Sequence, residues 1–428
     1  MLKPVLLVKL FFIFCFFLLL LGCSVSSNST YNNYSYLYSR GSIINPEFKI
    51  YHTNNDTSEI IFKIESADLI YSRPSPEFPY QSKFKISYSL YEDLNSRHIV
   101  DSLTTHFVDV NPTKKHKLIY GRMKFPYEVG RSGTIKITTF DQQRNQEHKT
   151  INNIRKSSLS SAQNFLAIEN NRKMTRPFIT SDDSIKILSD RNARRPFYLK
   201  CFNDEFGIAR PPFSSSDIID FDLIPNNTYE VNLSAFGQAS ILLPNDGLVL
   251  IQADSSKAEG LTLFRFDKNY PKIANATGLA EPLRYICSND EYKSLTESDN
   301  QKLAVEQFWI ERCQSKDRAR EIIQEYYTRV NEANTYFTSY IEGWKTDRGM
   351  IAIIYGKPLN IEKRNDYEVW KYGQGSSYQT PSLSFTFYKR QNPFTDNDYT
   401  LKREYFFKPG WYRALDIWRA GRIYKAGI

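Results

Sequence analysis

The sequence predicts a multidomain, mainly β protein: two immunoglobulin-like β-sandwiches followed by an α+β domain. Three observations carry this prediction. Short alternating or apolar runs recur at regular spacing from about residue 47 to 148, and again from 184 to 266, with turn clusters between them. A helical stripe follows, in which Ala319, Ile322, Ile323, Tyr326, Val330, Ala333 and Phe337 share one face. The composition, with 29 Tyr, 29 Phe and only 18 Gly in 428 residues, suits twisted sheet.

The N-terminus sets the expected compartment. Lys3 and Lys9 precede an apolar run from Leu10 to Leu21 that ends at Gly22-Cys23. A basic start with a short apolar core reads as a secretory signal peptide over 1–22 rather than a spanning helix. The abrupt change to Ser/Asn-rich sequence disfavours an uncleaved anchor. Leu20-Leu21-Gly22-Cys23 resembles the lipobox of bacterial lipoproteins, so Cys23 is the expected lipid-attachment residue, carrying palmitate-type acyl chains. Two or more such chains anchor stably. Residues 23–45, rich in Ser, Asn and Tyr, read as a flexible tether. No acid follows Cys23 before Glu47, unlike surface-exported lipoproteins of Bacteroidota-type bacteria, and Ser24 is unlike the Asp that marks inner-membrane retention. The expectation is the periplasmic face of the outer membrane, with the membrane itself as the first partner.

Charge and cysteine usage agree with that address. The formal net charge is +9; the leader removes Lys3 and Lys9 and no acid, leaving about +7. The excess is spread out, and an exported protein has no nucleic-acid partner, so an anionic lipopolysaccharide or peptidoglycan surrounding is the better match. Of five cysteines, Cys15 leaves with the leader and Cys23 carries lipid. The remaining Cys201, Cys287 and Cys313 allow one disulfide at most, for which Cys287–Cys313 is favoured because both flank one junction.

The first sandwich is expected over 46–150, with strands at Ile60–Ile64, Lys83–Tyr91, Ile99–Val108, His116–Met123 and Gly133–Phe140. Lys83–Leu90 alternates cleanly, giving one wet face. A short helical piece is expected at Ser158–Ala167. The second sandwich, over 151–275, draws on Ser184–Leu188, Arg195–Phe202, Thr228–Leu233, Ser240–Leu243, Gly247–Ala253 and Leu261–Phe266. Tyr270–Arg284 links it to the α+β domain over 285–428. There, Ser298 to Gln301 matches a capping box, Ser315 can cap the long helix, and Met350–Tyr355 reads as a buried strand closed by Gly356 and Pro358. Tyr367–Tyr372, Leu383–Tyr388 and Tyr399–Phe406 continue the sheet, and Trp411–Ala420 is the terminal helix.

The centre of the last domain is Gly343-Trp344-Lys345-Thr346-Asp347-Arg348-Gly349. Gly343 can take positive φ at a helix end, and Gly349 permits close backbone approach. Thr346 and Asp347 can bond nearby N–H groups, while Arg348 offers a planar fork to a carboxylate or to orphan carbonyls. Trp344 is a large apolar body with one N–H to satisfy. With Phe308-Trp309, Tyr355–Pro358, Ile361-Glu362, Tyr367–Tyr372 and Trp411-Tyr412-Arg413, this stretch resembles the GWxTD domain family over roughly Lys302–Ile428. The family is known chiefly from lipoproteins and other exported proteins of Bacteroidota-type bacteria, and the resemblance implies fold and habitat rather than a reaction.

Candidate chemistry is sparse. All five histidines, His52, His98, His106, His116 and His148, precede residue 150, and none has paired metal-ligand spacing, so neither a metal nor a cofactor is expected. All five tryptophans, Trp309, Trp344, Trp370, Trp411 and Trp418, follow residue 300, which fits a compact core or an interaction surface. Gly343, Trp344, Thr346, Asp347, Arg348, Gly349, Trp370 and Trp411 are therefore the candidate interaction residues. Glu342, Asp347, Glu362, Asp366 and Glu368 could supply acid/base pairs, but salt bridges to Arg348, Lys363 and Arg364 fit their surroundings better. Asp101-Ser102-Leu103 and Asp183-Ser184-Ile185 match the short pattern of Bacteroidota O-glycosylation. The expected function is that of an accessory, protein-binding component of an envelope complex serving secretion or outer-membrane biogenesis. Its rivals are glycan binding on exposed Trp faces and a carboxylate-dependent hydrolase.

Overall fold

Period-two patterning organises the first domain. The computed structural model describes residues 33–38, 44–111, 113, 115–179, 184–203, 206–215, 224–244, 247–313, 315–373 and 383–425. Seven strands come first: β1 (Glu47–His52), β2 (Thr57–Glu65), β3 (Gln81–Tyr91), β4 (Asp101–Val110), β5 (Leu118–Pro126), β6 (Ser132–Asp141) and β7 (Gln146–Arg155). They form two antiparallel sheets, ordered β1-β2-β5 and β4-β3-β6-β7. Phe84, Ile86, Tyr88 and Leu90 alternate into one core with Ile60, Phe62, Ile64 and Phe125 from the opposing sheet. The expected strands are present, and β1 and β7 add to them. His98 and His106 face solvent.

The second domain repeats the two-sheet plan with eight strands: β8 (Leu166–Glu169), β9 (Arg172–Lys173), β10 (Ile185–Leu188), β11 (Pro196–Phe202), β12 (Asn227–Asn232), β13 (Gln238–Ile241), β14 (Gly247–Gln252) and β15 (Leu261–Arg265). Its sheets run β13-β10-β8-β9 and β12-β11-β14-β15. Ile185, Ile187, Phe197, Leu199, Val249 and Ile251 fill the space between them. The helix expected at Ser158–Ala167 is reduced to a 3-10 turn, Ala162–Asn164. Asn164 Nδ2 donates to the Ser158 carbonyl at 2.8 Å and the Leu159 carbonyl at 3.2 Å, a local side-chain bond that competes with helix.

The third domain is α+β. Helices α1 (Ala276–Ala280), α2 (Asn289–Thr296), α3 (Gln301–Cys313) and α4 (Lys316–Phe337) lead to a 3-10 turn at Gly343–Lys345 and helix α5 (Asp347–Tyr355). An antiparallel meander follows, β16 (Asn360–Lys363), β17 (Tyr367–Tyr372), β18 (Leu383–Lys389) and β19 (Tyr399–Leu401), then helix α6 (Phe407–Arg419). One apolar cluster joins Ile322, Tyr326, Ile351, Trp370, Phe385 and Trp418. Ser315 caps α4 as expected, accepting from Arg318 N–H at 3.2 Å. The box expected at Ser298–Gln301 is absent: Asn300 Oδ1 accepts from Leu303 N–H at 3.1 Å instead, and the capping box lies on α2, between Ser288 and Glu291. The strand expected to reach Phe406 stops at Leu401, and the terminal helix begins at Phe407.

Three further expectations change. Met350–Tyr355 belongs to a helix, not a strand. Cys201, Cys287 and Cys313 are free thiols, so the favoured Cys287–Cys313 bond is absent; the two residues belong to separate packed elements, one preceding α2 and one ending α3. The leader, Cys23 and the tether up to residue 32 lie outside the described residues, as does Asp183. Within the tether, however, Asn33–Tyr38 is ordered against the third domain, with Ser35–Tyr38 in a 3-10 turn and Tyr34 buried. No helix of the described residues is long and apolar enough to cross a membrane.

Candidate functional site

The central motif runs from the 3-10 turn Gly343–Lys345 through Thr346 into the first turn of α5, a helix whose residues are nearly all buried. Thr346 is its N-cap: Oγ1 accepts from Gly349 N–H at 3.0 Å and donates to the Gly343 carbonyl at 2.8 Å. This knot explains both glycines. A Cβ on Gly349 would sit 1.9 Å from the Gly343 oxygen, and one on Gly343 would sit 2.0 Å from the Ala333 oxygen of α4. Gly349 thus does what the sequence implied, whereas Gly343 is needed for close approach rather than for positive φ. The positive φ falls on Gly356, at +81°, just past the end of α5.

A buried helix end must satisfy its orphan carbonyls, and side chains do so here. Arg329 of α4 donates to the Ile353 and Ile354 carbonyls at 3.1 and 3.4 Å, and Trp418 Nε1 donates to the Ile354 carbonyl at 3.0 Å. Tyr372 hydroxyl donates to the Gly356 carbonyl at 2.9 Å. With both ends closed, the apolar run needs no wet face.

The polar motif residues are each committed within the fold. Asp347 accepts from Leu401 N–H at 2.8 Å and from both terminal nitrogens of Arg403, a bidentate pairing. Arg348, 1 % exposed, donates to the Asn397 carbonyl at 2.9 Å and to Asn397 Oδ1 at 2.6 Å. Its other terminal nitrogen lies 3.5 Å from Glu368, which also pairs with Lys363 and accepts from Trp370 Nε1 at 3.2 Å. Burial alone would raise the Glu368 pKa, but Lys363 and Arg348 outweigh it and hold the carboxyl at about 2. Lys363 is raised above its ordinary range: burial opposes this, and Tyr38 and Glu368 prevail.

Tyr38 completes this cluster from the far end of the chain. Its hydroxyl donates to Glu368 at 2.6 Å and receives from Lys363 at 3.3 Å and Arg348 at 3.4 Å. Its ring lies 5.0 Å from Phe337 and 5.9 Å from Trp370. The second domain also reaches the motif, Ala209 N–H donating to the Lys345 carbonyl at 2.8 Å.

The tryptophans are core. Trp344 has Asn334 Oδ1 as acceptor for its backbone N–H at 3.0 Å, and its carbonyl accepts from Tyr285 hydroxyl at 2.8 Å. Trp309, Trp344, Trp370, Trp411 and Trp418 are all buried, so none presents a free ring face. Trp344 borders a small cavity of about 170 Å³ with Asp267, Glu281 and Glu342. A larger cleft, about 720 Å³, opens between β7 and the third domain, beside Tyr38, Lys363, Asp396 and Tyr399. Asp396 bridges its walls, 3.1 Å from Arg155 and 3.7 Å from Lys389.

The structure therefore gathers Thr346, Asp347, Arg348 and Trp370 at one buried knot and leaves Trp411 on a separate face of the core, 6.1 Å from the Tyr355 ring. Tyr38, Asn397, Tyr399 and Arg403 escape sequence reasoning because their partners are distant in the chain. The only hint for Tyr38 is the density of tyrosines before it.

No curated protein matches the chain. Among solved structures, the chain is similar to the crystal structure of the class 5 fimbriae chaperone CfaA at 13% identity, over 51% of this chain and 99% of that one. The TM-score of 0.15 is too low to bear on fold or function. Residues 247–420, from the first residue of β14 to the residue that follows α6, match the GWxTD domain family, and the chain therefore carries a GWxTD domain.

Proposed function

We propose that the protein is an outer-membrane-anchored lipoprotein facing the periplasm, and that it docks other proteins as an accessory component of an envelope complex in secretion or outer-membrane biogenesis. One observation carries the docking role: every polar side chain of the motif is already bonded inside the fold. A carboxylate gripped by Arg403 and a guanidinium gripped by Asn397 are held as parts of the fold rather than presented to a substrate. What such a domain offers a partner is a rigid surface. The leader ending at Cys23 supports the address. Because Asn33 bonds to β16, a lipid at Cys23, ten residues earlier in the chain, would tether the molecule through its GWxTD domain.

Purification from gently solubilised membranes is expected to recover a defined partner, and Cys23→Ala is expected to release the protein from the membrane fraction. A lone monomer in several detergents would end the docking reading. A glycan is the second reading, favoured by the polar cleft with Asn152, Asn365, Asn397 and Tyr336 on its walls. Calorimetric titration with peptidoglycan and lipopolysaccharide fragments that gives no saturable heat would remove it.

A further inference from the structure

We infer that the outer edge of β16, with the hollow that receives Tyr38, is a peptide-docking site that the tether fills in cis and that a tyrosine-bearing segment of a partner protein, turned as the tether is, fills in exchange. The inference rests on the docking role proposed above and names its surface.

β16 is an edge strand of the meander. An edge presents unpaired backbone groups, and proteins either cover such an edge or use it to add a strand from another chain. Here the tether covers it. Tyr34 N–H donates to the Ile361 carbonyl at 2.9 Å. The Asn33 side chain accepts from Ile361 N–H at 3.1 Å and donates to the Leu359 carbonyl at 3.0 Å, so its carboxamide stands in for a peptide group. Asn33 and Tyr34 thus cap the edge, and the chain then turns away from it through the 3-10 turn Ser35–Tyr38.

Selectivity comes from the side chains. Tyr34 is buried, and Tyr38 sets its ring among Phe337, Tyr336 and Trp370. Its hydroxyl uses one donor and two acceptor positions on Glu368, Lys363 and Arg348. A phenol meets this geometry and a phenyl ring does not, because Glu368 would lose a donor in a buried place. The contacts read a pattern, an amide side chain, an aromatic residue and a tyrosine four positions later, rather than one particular chain. Within the described stretch Asn33–Tyr38, Tyr36 remains 37% exposed. Covalent attachment raises the effective concentration of the cis segment, which sets the threshold a partner must exceed.

The test adds a fluorescein-labelled peptide copying Asn33–Tyr38 to the purified full chain and follows anisotropy. The triple variant Asn33→Ala/Tyr34→Ala/Tyr38→Ala, its own segment disabled, is expected to bind saturably and at least tenfold more tightly than the wild type. A peptide with Tyr38→Phe is expected to bind about tenfold more weakly. Absence of saturable binding to a variant whose thermal transition matches the wild type overturns the inference.

Should the variant lose cooperative folding, hydrogen exchange on the wild type decides. Exchange of the Tyr34 amide at least a hundredfold faster than that of Trp370 upholds an exchangeable segment, and equal rates overturn it. A partner recovered from membranes without peptide binding sinks this site and leaves the docking role. Peptide binding with no recoverable partner upholds the site and sinks the docking role.

Discussion

Lys156 and Arg348 are both fully buried cations, and the protein satisfies them in opposite ways. Lys156, just past the end of β7, donates to the Thr57 carbonyl at 2.9 Å, to Ser58 Oγ at 3.1 Å and to the Tyr127 carbonyl, all neutral oxygens. His52 beside it is likewise bonded to Ser58 Oγ at 2.8 Å and to the Arg155 carbonyl at 3.0 Å. Burial pushes His52 down to about 4 and Lys156 down to about 8. Arg348 instead faces the Glu368 carboxylate, which stays ionised down to about pH 2. Neutral partners leave a site sensitive to pH. A counter-ion makes it insensitive to pH but dependent on one residue.

Removing that residue should have the largest effect. Glu368→Ala leaves Arg348 and Lys363 buried without their carboxylate, and such a break costs about 3–5 kcal/mol. Urea denaturation is the measurement, and a midpoint within error of the wild type would show that the cluster contributes little. The same loss should free the tether, since Tyr38 hydroxyl would have no acceptor.

Next comes Gly349→Ala, which drives a methyl group onto the Gly343 carbonyl, a backbone atom that cannot swing aside. Overpacking of this kind costs about 1–3 kcal/mol, and more where backbone must move. Gly410→Ala is the matched control. That glycine lies exposed in α6 with nothing within 4 Å of the added carbon, so helix propensity should make the change stabilising by up to about 1 kcal/mol. Equal thermal shifts for the two variants would refute the knot.

The pH contrast is smaller. His52 has a folded pKa of about 4 against 6.5 ordinarily, so the stability owed to its neutral, bonded ring is whole above pH 6.5 and is lost as pH falls through 4. Glu368, also depressed, holds its contribution above 4.5 and loses it only as pH falls through about 2. Between pH 6.5 and 4.5, therefore, His52 should weaken the first domain while the Glu368 cluster is unaffected. His52→Gln should flatten the stability curve there, and an unchanged slope would exonerate the histidine.

The two regions also differ in how far they could be read. Strands such as β3 declare themselves because Phe84, Ile86, Tyr88 and Leu90 alternate with part-exposed Lys85, Ser87 and Ser89. Edge pieces such as β9, two residues long, carry no such period. In the GWxTD domain the long stripe of α4 was legible for the same reason. The run Met350–Tyr355 was not, because a helix buried on all faces has no polar side to set a period, and six apolar residues match a strand in length. The signals that resolve it are Thr346 as cap and Gly356 as terminator, which enclose nine helical residues. Of the site, Asp347 and Arg348 were legible as bonding groups, but Arg403, Asn397 and Tyr38 as their partners were not. Such pairings depend on tertiary closure across 56, 49 and 310 positions.

Lys156→Met gives the smallest effect at neutral pH and the sharpest test of the comparison. At pH 7 the wild-type amine is charged in a buried place, and replacing it with an apolar side chain of similar length removes that cost while taking a donor from the Tyr127 carbonyl; the Thr57 carbonyl keeps Thr53 Oγ1 as a donor at 3.2 Å. These opposed changes should leave the variant within about 1 kcal/mol of the wild type. Because the folded pKa of about 8 lies below the ordinary 10.5, stability owed to this group is present above pH 10.5 and lost as pH falls through 8. The wild type should therefore draw ahead of the variant as pH rises from 8 to 10.5. Other groups titrate in that range, Lys49 in the same sense because burial pushes it down to about 8, so the quantity to follow is the wild-type minus variant difference in unfolding free energy, in which they cancel. A difference that stays constant from pH 7 to 10.5 would mean that Lys156 is charged throughout, held by a counter-ion as Arg348 is, and the contrast between the two sites would collapse.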